Sequence, residues 1–287
     1  MSVMKIAVAS GKGGTGKTLV ATNLFYVLSE KGIKATLTDC DAEEPNAKAF
    51  FCGETVSESE VRQLVPVIDS EACIFCGRCA EYCSYNAIFI LPERQSIRVI
   101  EDLCHGCGAC MVACKTGAIS EKKVSLGKIT TYSLEKDSFI VEGKLRIGAY
   151  TPVPVIKAAI KHSNQNDIVI LDSPPGTSCP FIHTVSSSDY ILLVTEPTPF
   201  GLNDLKLSVE IIRNMGKPFS VIINRAGLGD RGVYNWLESE KIPVVMELPF
   251  DRDIAAIYSR GEIVSASRSD VRKKFTVLTD SVLSIWK

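Results

Sequence analysis

Eight of the eleven cysteines form two short runs with identical spacing. The runs are Cys73, Cys76, Cys79 and Cys83, then Cys104, Cys107, Cys110 and Cys114. This spacing is typical of [4Fe–4S] ligands, and where two runs occur, the fourth cysteine of each run binds the other run's cluster. We therefore predict one cluster on Cys73, Cys76, Cys79 and Cys114, and a second on Cys104, Cys107, Cys110 and Cys83.

A structural zinc site is the alternative explanation for these cysteines. Zinc usually takes two pairs of ligands separated by a longer loop, whereas each run here places four cysteines within eleven residues. The spacing therefore favours iron–sulfur clusters. His105 lies between Cys104 and Cys107. It either ligates or tunes a metal centre, or only shapes the local hydrogen bonding, and we favour the second role.

A glycine-rich segment near the N-terminus has the G-x4-G-K-T pattern of a phosphate-binding loop. Its backbone amides and the following helix N-terminus are suited to the phosphates of ATP. Lys17 is expected to reach the terminal phosphates and Thr18 to bind Mg²⁺. The predicted ATP-binding residues of the loop are Gly11, Lys12, Gly13, Gly14, Thr15, Gly16, Lys17 and Thr18.

Three aspartates stand at the ends of predicted strands elsewhere in the chain. Asp39 and Asp41 come at the end of the strand at 35–39, and Asp172 ends the strand at 168–172. Any one of them alone would be an ordinary helix cap. Because an open α/β sheet binds ligands at the carboxyl ends of its strands, the three together predict a site beside the phosphate loop.

Short apolar strands alternate with helical patterns on both sides of the cysteine runs. Strands are predicted at 4–10, 35–39, 145–150, 168–172, 190–195, 220–224 and 244–247, and helices at 17–31, 152–161, 201–215, 231–240 and 251–259. This alternation predicts an α/β fold with a mostly parallel, doubly wound sheet. The alternation is interrupted around the cysteines, where β-like pieces are predicted at 65–69, 96–100 and 123–129.

The interruption predicts two domains. We expect a nucleotide-binding domain at 1–55 and 142–287, and an inserted small α+β domain at 56–141, with its cluster core at about 64–128. A segment this small buries little apolar core, so bound clusters would supply much of its stability.

Composition excludes several classes of protein. A hydrophobic content of 46% and a charged content of 23% are typical of a soluble globular protein. The net charge of −1 argues against nucleic-acid binding by bulk electrostatics. No apolar run approaches the ~20 residues of a membrane span, and the N-terminus leads directly into a strand. We therefore expect a cytoplasmic protein, in which cysteines serve as metal ligands more often than as disulfides.

The phosphate loop carries an extra lysine, Lys12, and the resulting sequence KGGTGKT resembles the deviant phosphate loop of the MinD/ParA superfamily. These P-loop ATPases include the nitrogenase iron protein and the Mrp-type cluster carriers. The cysteine segment resembles a bacterial two-cluster ferredoxin, although Ser84 and Lys115 replace the proline that usually follows each fourth cysteine. The whole chain is most similar to members of the superfamily that contain an inserted two-cluster ferredoxin domain.

The resemblance implies a role for each candidate residue. Lys12 would reach across a dimer interface to the partner's nucleotide, the alternative being a solvated surface lysine. Asp41 would orient the attacking water, acting with Lys12 and Lys17 in catalysis. The resemblance also implies Mg²⁺ at Thr18, Asp39 and Asp172, and adenine contacts at Asn224, Arg225, Pro249 and Phe250.

Four further features leave alternatives open. Cys179 lies where related ATPases bridge a cluster between protomers, but an inert thiol is favoured there. Cys40 and Cys52 are expected to be packing thiols. A C-terminal helix is predicted over 271–287; we expect its apolar face to dock on the sheet, with a membrane tether as the alternative.

Together these signals predict an enzyme: an ATP-hydrolysing switch that forms a nucleotide-dependent homodimer. Its cycle would be coupled to electron transfer, or to metallocofactor maturation, in a redox or metalloprotein partner or a paralogous ATPase. An iron–sulfur cluster carrier or scaffold is the alternative, and a membrane-associated spatial regulator is less favoured. Neither nucleic acid nor a membrane is an expected partner.

Overall fold

The structure, a computed structural model, describes residues 3–163 and 166–286. The strands are β1 (Met4–Ala9), β2 (Ala35–Asp39), β3 (Glu54–Ile68), β4 (Ile88–Leu91), β5 (Ser96–Val99), β6 (Ile119–Ser133), β7 (Phe139–Leu145), β8 (Ile168–Asp172), β9 (Tyr190–Thr195), β10 (Phe219–Ala226) and β11 (Val244–Pro249). The helices are α1 (Lys17–Glu30), α2 (Arg78–Glu81), α3 (Ala109–Ala113), α4 (Val153–His162), α5 (Cys179–Ser186), α6 (Pro199–Asn214), α7 (Gly232–Ser239), α8 (Arg252–Ser259), α9 (Val264–Ser267) and α10 (Ser269–Trp286). The predicted helix end at Lys287 lies outside the described residues.

The chain divides into two compact units. The first contains Met1–Ser59, Ile129–Lys144 and Val155–Lys287, and the second contains Glu60–Lys128 and Leu145–Pro154. The predicted boundaries at 56 and 141 therefore differ from those of the structure. The boundaries between the units fall within β3 and β6, which are 15 residues long each. The sequence predicted only their more apolar portions, at 65–69 and 123–129.

The first unit is built on a largely parallel sheet. Its strand order is β11-β10-β9-β1-β8-β2-β7, followed by this unit's residues of β6 and β3. All pairings from β11 to β7 are parallel. Every residue of β2, β8 and β9 is buried, so both faces of the sheet are covered. This confirms the predicted α/β class with a largely parallel sheet.

The strand predicted at 145–150 is wrong. β7 ends at Leu145 and its apolar residues Ile140 and Val141 are fully buried. This strand pairs in parallel with β2. The residues after it instead form a turn at Gly148, where φ is +85°. The buried residues Ile140 and Val141 are the part that the sheet needs, and the more exposed residues after Leu145 cannot replace them.

The C-terminal helix α10 docks by its apolar face. Phe275, Leu278 and Val282 are at most 3% exposed and belong to the same apolar core as residues of α1. Ile285, in the last turn of the helix, is 52% exposed. Docking therefore ends before the last turn of the helix. No helix in the described part of the chain is long and apolar enough to cross a bilayer.

The second unit contains two similar halves. Each half has a short helix, α2 or α3, that begins directly after a glycine with positive φ, Gly77 at 80° or Gly108 at 73°. Strands β4 and β5 pair as an antiparallel ribbon. The core of this unit is small and contains cysteines as well as aliphatic residues: Cys79, Ile88, Cys110 and Ile119. Such a core supplies little stability by itself.

Candidate functional site

The phosphate loop connects β1 to α1 at the point where the strand order reverses. β1 lies between β8 and β9, and the crevice at such a reversal is where open α/β sheets bind ligands. Gly14 and Gly16 have φ values of 76° and 97°, in the left-handed region that favours glycine. Gly16 is also the N-cap of α1, so the unpaired amides of the first helical turn are available to phosphate oxygens.

Two elements hold this loop in shape. A Cβ atom on Gly11 would lie 2.4 Å from the carbonyl oxygen of Asp204 in α6. A Cβ atom on Gly16 would lie 2.3 Å from Nδ2 of Asn224 in β10. The same Nδ2 atom donates a hydrogen bond to the carbonyl oxygen of Thr15 at 2.7 Å. The loop is thus fitted closely to both neighbours, and glycine is required by contact as well as by φ.

Asp172 is a buried carboxyl whose two oxygen atoms have no hydrogen-bond partner among the described residues. The residue ends β8 and is 1% exposed. Burial, reinforced by the neighbouring charge of Asp39, raises its pKa to about 8, although Thr18 and Lys17 oppose the shift. A buried carboxylate left unpaired is costly. Its oxygens and the Thr18 hydroxyl are hard donors of the kind that Mg²⁺ prefers, so these residues fit that ion.

Asp39 has a different environment. Its Oδ1 accepts the backbone N–H of Asp41 at 3.0 Å, and its Oδ2 accepts those of Asn46 at 2.8 Å and Ala47 at 2.9 Å. Burial nevertheless raises its pKa to about 7. Asp39 therefore anchors the segment after β2 as well as lying in the carboxylate group. A change at this residue would be transmitted to residues 41–47.

Lys17 and Asp41 complete the charged centre. Lys17 is 7% exposed, and burial lowers its pKa while the charges of Asp172 and Asp41 oppose that shift. Burial likewise raises the pKa of Asp41, and the charge of Lys17 opposes it. The structure therefore brings together the predicted phosphate-binding lysine, the predicted water-orienting carboxyl and the predicted magnesium ligands.

Lys12 belongs to a second charged group, the Lys12–Glu196–Arg225 cluster. The ammonium of Lys12 donates to Oε1 of Glu196, and Arg225 Nη1 donates to Oε2 at 2.9 Å. The Glu196 side chain is only 9% exposed. Burial alone would raise the pKa of Glu196, but its two cationic partners lower it. The carboxylate is therefore ionised and shared between the phosphate loop and β10.

The residues assigned to adenine lie at the carboxyl ends of β10 and β11. Asn224 is buried against the loop, while Arg225 has a φ of 55°. Phe250 is 48% exposed, and its amide donates to the carbonyl oxygen of Ala226 at 3.0 Å. The loops that contain these residues are therefore joined. The structure places Pro249 and Phe250 beside the end of β10, and their contact with adenine stays a prediction.

Four cysteines of the second unit surround one cavity. Cys73, Cys76, Cys79 and Cys114 line a space of about 220 Å³ whose other walls include five isoleucines. Three of these cysteines come from the first run and the fourth from the second run. The backbone amide of Phe75 donates to the sulfur of Cys73 at 3.4 Å, a contact that favours a thiolate.

The other four cysteines surround a second, smaller cavity. Cys83, Cys104, Cys107 and Cys110 line a space of about 20 Å³ together with Tyr85 and His105. Amides of Ala87 and Gly106 donate to the sulfurs of Cys83 at 3.2 Å and Cys104 at 3.4 Å. The structure thus groups the cysteines in the two sets that the spacing predicts, with the fourth cysteines exchanged.

These sets surround spaces and do not converge on a point. Within residues 3–163 and 166–286, no group of three or more His, Cys, Asp or Glu side chains is arranged to hold a single metal ion. A single zinc ion would draw four thiolates to about 2.3 Å from one centre. The four cysteines around the cavity of about 220 Å³ leave room for a polynuclear group, and the cluster on them stays a prediction.

His105 is held by aromatic contacts. Its ring stacks on Tyr85 with centroids 3.7 Å apart and meets the edge of Tyr150 at 6.0 Å. Its Nε2 atom is buried and has no hydrogen-bond partner among the described residues. His105 therefore forms part of the wall of the second cavity.

The three remaining cysteines lie outside both sets. Cys40 is fully buried, and burial raises the pKa of its thiol well above the usual value. This agrees with the expected packing role. Cys52 is exposed, so a packing role for it is wrong. Cys179 is exposed at the first turn of α5.

The sequence did not identify two residues of the site. No role was assigned to Glu196 from the sequence, and its contact with Lys12 joins residues 184 positions apart. Tyr258, in α8, is close enough to Asp172 and Asp39 for these charges, after burial, to raise its pKa to about 12. No local pattern marks either contact, because both depend on how distant elements pack.

The chain is similar to known nucleotide-binding proteins. Residues 6–264 match the family described as the CobQ/CobB/MinD/ParA nucleotide binding domain. An uncharacterized protein of Methanocaldococcus jannaschii is 32% identical over 266 residues, which is 91% of both chains. An iron–sulfur cluster carrier protein of Aquifex aeolicus is 24% identical over 94% of this chain and 64% of its own length.

A solved structure gives the same fold. The septum site-determining protein MinD of Pyrococcus horikoshii, complexed with Mg-ADP, matches with a TM-score of 0.60 and 19% identity, over 98% of this chain and 96% of its own. The largely parallel sheet agrees with this match. The chain therefore belongs to the CobQ/CobB/MinD/ParA nucleotide-binding family and is an ATPase of the MinD/ParA type.

Proposed function

We propose that this ATPase forms a nucleotide-dependent homodimer and carries two [4Fe–4S] clusters in a ferredoxin-like insert. Its nucleotide cycle would control electron transfer to a partner protein, or maturation of that partner's metallocofactor. The observation that carries the proposal is the grouping of eight cysteines into two sets of four, in a chain with a complete phosphate site.

The nucleotide part of the proposal assigns each residue a task. Backbone amides of the phosphate loop and the side chain of Lys17 bind and orient the phosphates. Thr18 and Asp172 hold Mg²⁺, which supplies charge neutralisation between the β- and γ-phosphates. Asp41 orients the attacking water. Asp39 ties residues 41–47 to this centre through three backbone amides, so this segment is positioned to respond to loss of the γ-phosphate.

The cluster part follows from the cysteines. Cys73, Cys76, Cys79 and Cys114 would hold one cluster, and Cys104, Cys107, Cys110 and Cys83 the other. Each cluster supplies a one-electron donor or acceptor when bound. The amides that donate to the sulfurs of Cys73, Cys83 and Cys104 stabilise thiolate charge. Besides the second copy of this chain, the protein partner would be a redox protein, a metalloprotein or a related ATPase.

Anaerobic purification with iron and sulfide analysis tests the cluster content. Two clusters predict about eight iron and eight sulfide per chain. Cys114→Ala should alter the EPR signal of the first cluster and leave the second signal in place, and Cys83→Ala should do the reverse. Cys52→Ala, a change at an exposed thiol outside both sets, is the matched control. A content of about one metal ion per set of four cysteines, as in a zinc site, would contradict the proposal.

An iron–sulfur cluster carrier is a second candidate, because the Aquifex aeolicus relative bears that name. Electron transfer is favoured because each set already has four thiols, and a fully ligated cluster is retained. Incubation with an apo-ferredoxin distinguishes the two. Loss of iron from this chain, matched by ATP-dependent gain in the acceptor, would establish the carrier function.

A further inference from the structure

We propose that Glu196 is a positioning residue that holds Lys12 inside its own protomer until the nucleotide of a second protomer competes for that lysine. The inference rests on the proposed dimer, in which Lys12 crosses the interface. It assigns to Glu196 control over when the crossing occurs. The residues that support it all belong to the first unit.

The ion pair between Lys12 and Glu196 is largely shielded from water. The Glu196 side chain is 9% exposed and that of Lys12 is 30% exposed. An ion pair in such a position is screened less than a pair on the open surface. In addition, Ser10 donates to the carbonyl oxygen of Lys12 at 2.6 Å, which fixes the backbone of that residue. Lys12 therefore has a defined position without any partner protomer.

The turn that contains Glu196 is built rigidly. The carbonyl oxygen of Glu196 accepts the amide of Thr198 at 2.8 Å, and Thr198 caps α6 by accepting the amide of Gly201 at 3.0 Å. A Cβ atom on Gly201 would lie 2.3 Å from that same carbonyl oxygen. A Cβ atom on Gly229 would meet the carbonyl oxygen of Pro197 at 1.9 Å. The backbone of this turn is thus packed on both sides, so Glu196 is held in place. The member of the pair that can move is the side chain of Lys12, which is 30% exposed.

Arg225 explains how the contact can open. A buried carboxylate that loses its only cation is strongly destabilised, but Glu196 has a second cation at 2.9 Å. When Lys12 leaves, Arg225 continues to compensate the charge. Arg225 directly follows Asn224, which donates to the phosphate loop. Glu196 and Arg225 thus connect the lysine to the base-binding side of the same nucleotide site.

The two cluster residues are therefore expected to act in opposite directions. Glu196→Gln removes the charge that retains Lys12, so dimers should form at about tenfold lower protein concentration with Mg²⁺ and a non-hydrolysable ATP analogue. A tenfold change corresponds to about 1.4 kcal/mol. Arg225→Gln leaves Lys12 as the only cation on Glu196, so dimers should require higher concentration.

Analytical ultracentrifugation of the full chain, at saturating analogue, measures both effects. Glu240→Gln, which breaks the exposed pair with Arg213, is the control and should not alter dimerisation. Thermal unfolding of each variant monitors the fold. In the Lys12→Ala background the gain from Glu196→Gln should vanish, because the lysine that it releases is absent.

The outcomes separate this inference from the proposed function. If Lys12→Ala dimerises like the unchanged protein, the proposed dimer with Lys12 at its interface fails. If Lys12→Ala loses dimerisation but Glu196→Gln dimerises no better than the unchanged protein, only the role of Glu196 fails. Equal loss of dimerisation in Glu196→Gln and Arg225→Gln would show that the cluster is merely structural.

Discussion

Replacing Asp172 by asparagine should stabilise the nucleotide-free protein while destroying its response to magnesium. Asparagine has the same shape but cannot ionise. In the folded protein the pKa of Asp172 is about 8, against an ordinary value of 3.8. At pH 7 the unfolded chain is ionised at this residue, and folding must therefore bind a proton or bury a charge.

The size of the effect follows from the pKa values. Between pH 3.8 and pH 7, each pH unit adds about 1.4 kcal/mol to the cost of folding with this carboxyl. The accumulated cost at pH 7 is at most about 4 kcal/mol, and an asparagine whose amide is also unpaired recovers about 2–4 kcal/mol. For a chain of 287 residues, whose entropy of unfolding is about 0.6 kcal/mol/K, that predicts a rise in Tm of about 3–7 °C.

The pH dependence gives the decisive measurement. A raised carboxyl pKa means that the contribution of Asp172 to stability is greatest at low pH and falls as pH rises from about 4 to about 8. The advantage of Asp172→Asn should therefore shrink to less than about 2 kcal/mol at pH 5. Thermal unfolding in EDTA, followed by circular dichroism at pH 5 and pH 7, measures this difference. Asp167→Asn, at an exposed position just before β8, is the control.

Two results would refute the reasoning. The first is a Tm for Asp172→Asn at pH 7 that is equal to or below that of the unchanged protein. The second is a gain of the same size at both pH values, which would mean that ionisation is not its cause. Addition of Mg-ATP should raise the Tm of the unchanged protein and leave that of Asp172→Asn almost unaltered.

Three other predictions concern the same unit. Gly11→Ala should lower the free energy of unfolding by about 2 kcal/mol or more, because the added Cβ would lie 2.4 Å from a carbonyl oxygen. Gly13→Ala is the control: its nearest contact would be at 3.9 Å, so the free energy of unfolding should change by less than about 0.5 kcal/mol. Magnesium affinity, measured by calorimetry with ATP present, should rise about tenfold per pH unit from pH 6 to 7 for each proton displaced. The reason is that the carboxyls of Asp39 and Asp172, with pKa values of about 7 and 8, must lose their protons when the ion binds. An affinity that does not change with pH would contradict this. Phe275→Ala should cost about 3–5 kcal/mol on urea unfolding, whereas Ile285→Ala, at a position 52% exposed, should cost little; equal costs would argue against the docking of α10.

The predictions that succeeded from sequence are those that depend on local geometry. A phosphate loop is specified by consecutive backbone conformations, so Gly14 and Gly16 could be recognised without knowing what surrounds them. The cysteine sets could also be recognised, because a two-residue spacing turns successive thiols to one side and the repeat supplies the exchanged fourth member. Alternation of buried strands and helices similarly predicts a parallel sheet, since both faces must be covered.

The strands that were predicted wrongly are those in which the solvent exposure of the residues does not follow from their polarity. β3 is predominantly exposed along its first eleven residues, so its polar sequence resembles a loop, although its backbone is extended over fifteen. The strand expected at 145–150 failed for the opposite reason. Its residues look suitable in isolation, but the strand that pairs with β2 is β7, in which Ile140 and Val141 are fully buried. In both cases pairing with a distant strand decided the conformation.

The Lys12–Glu196–Arg225 cluster shows why part of the site lies beyond sequence reasoning. A lysine in the phosphate loop can be identified by its position in a motif, but its partner depends on the turn that follows β9 and on an arginine at the end of β10. Those strands are neighbours in the sheet, with β1 beside β9. The parallel order therefore brings three strand ends to one edge and places a carboxylate between two cations. The same order places Asp172 at the end of β8, where its two carboxyl oxygens have no hydrogen-bond partner among the described residues. This is the carboxylate proposed above to bind Mg²⁺.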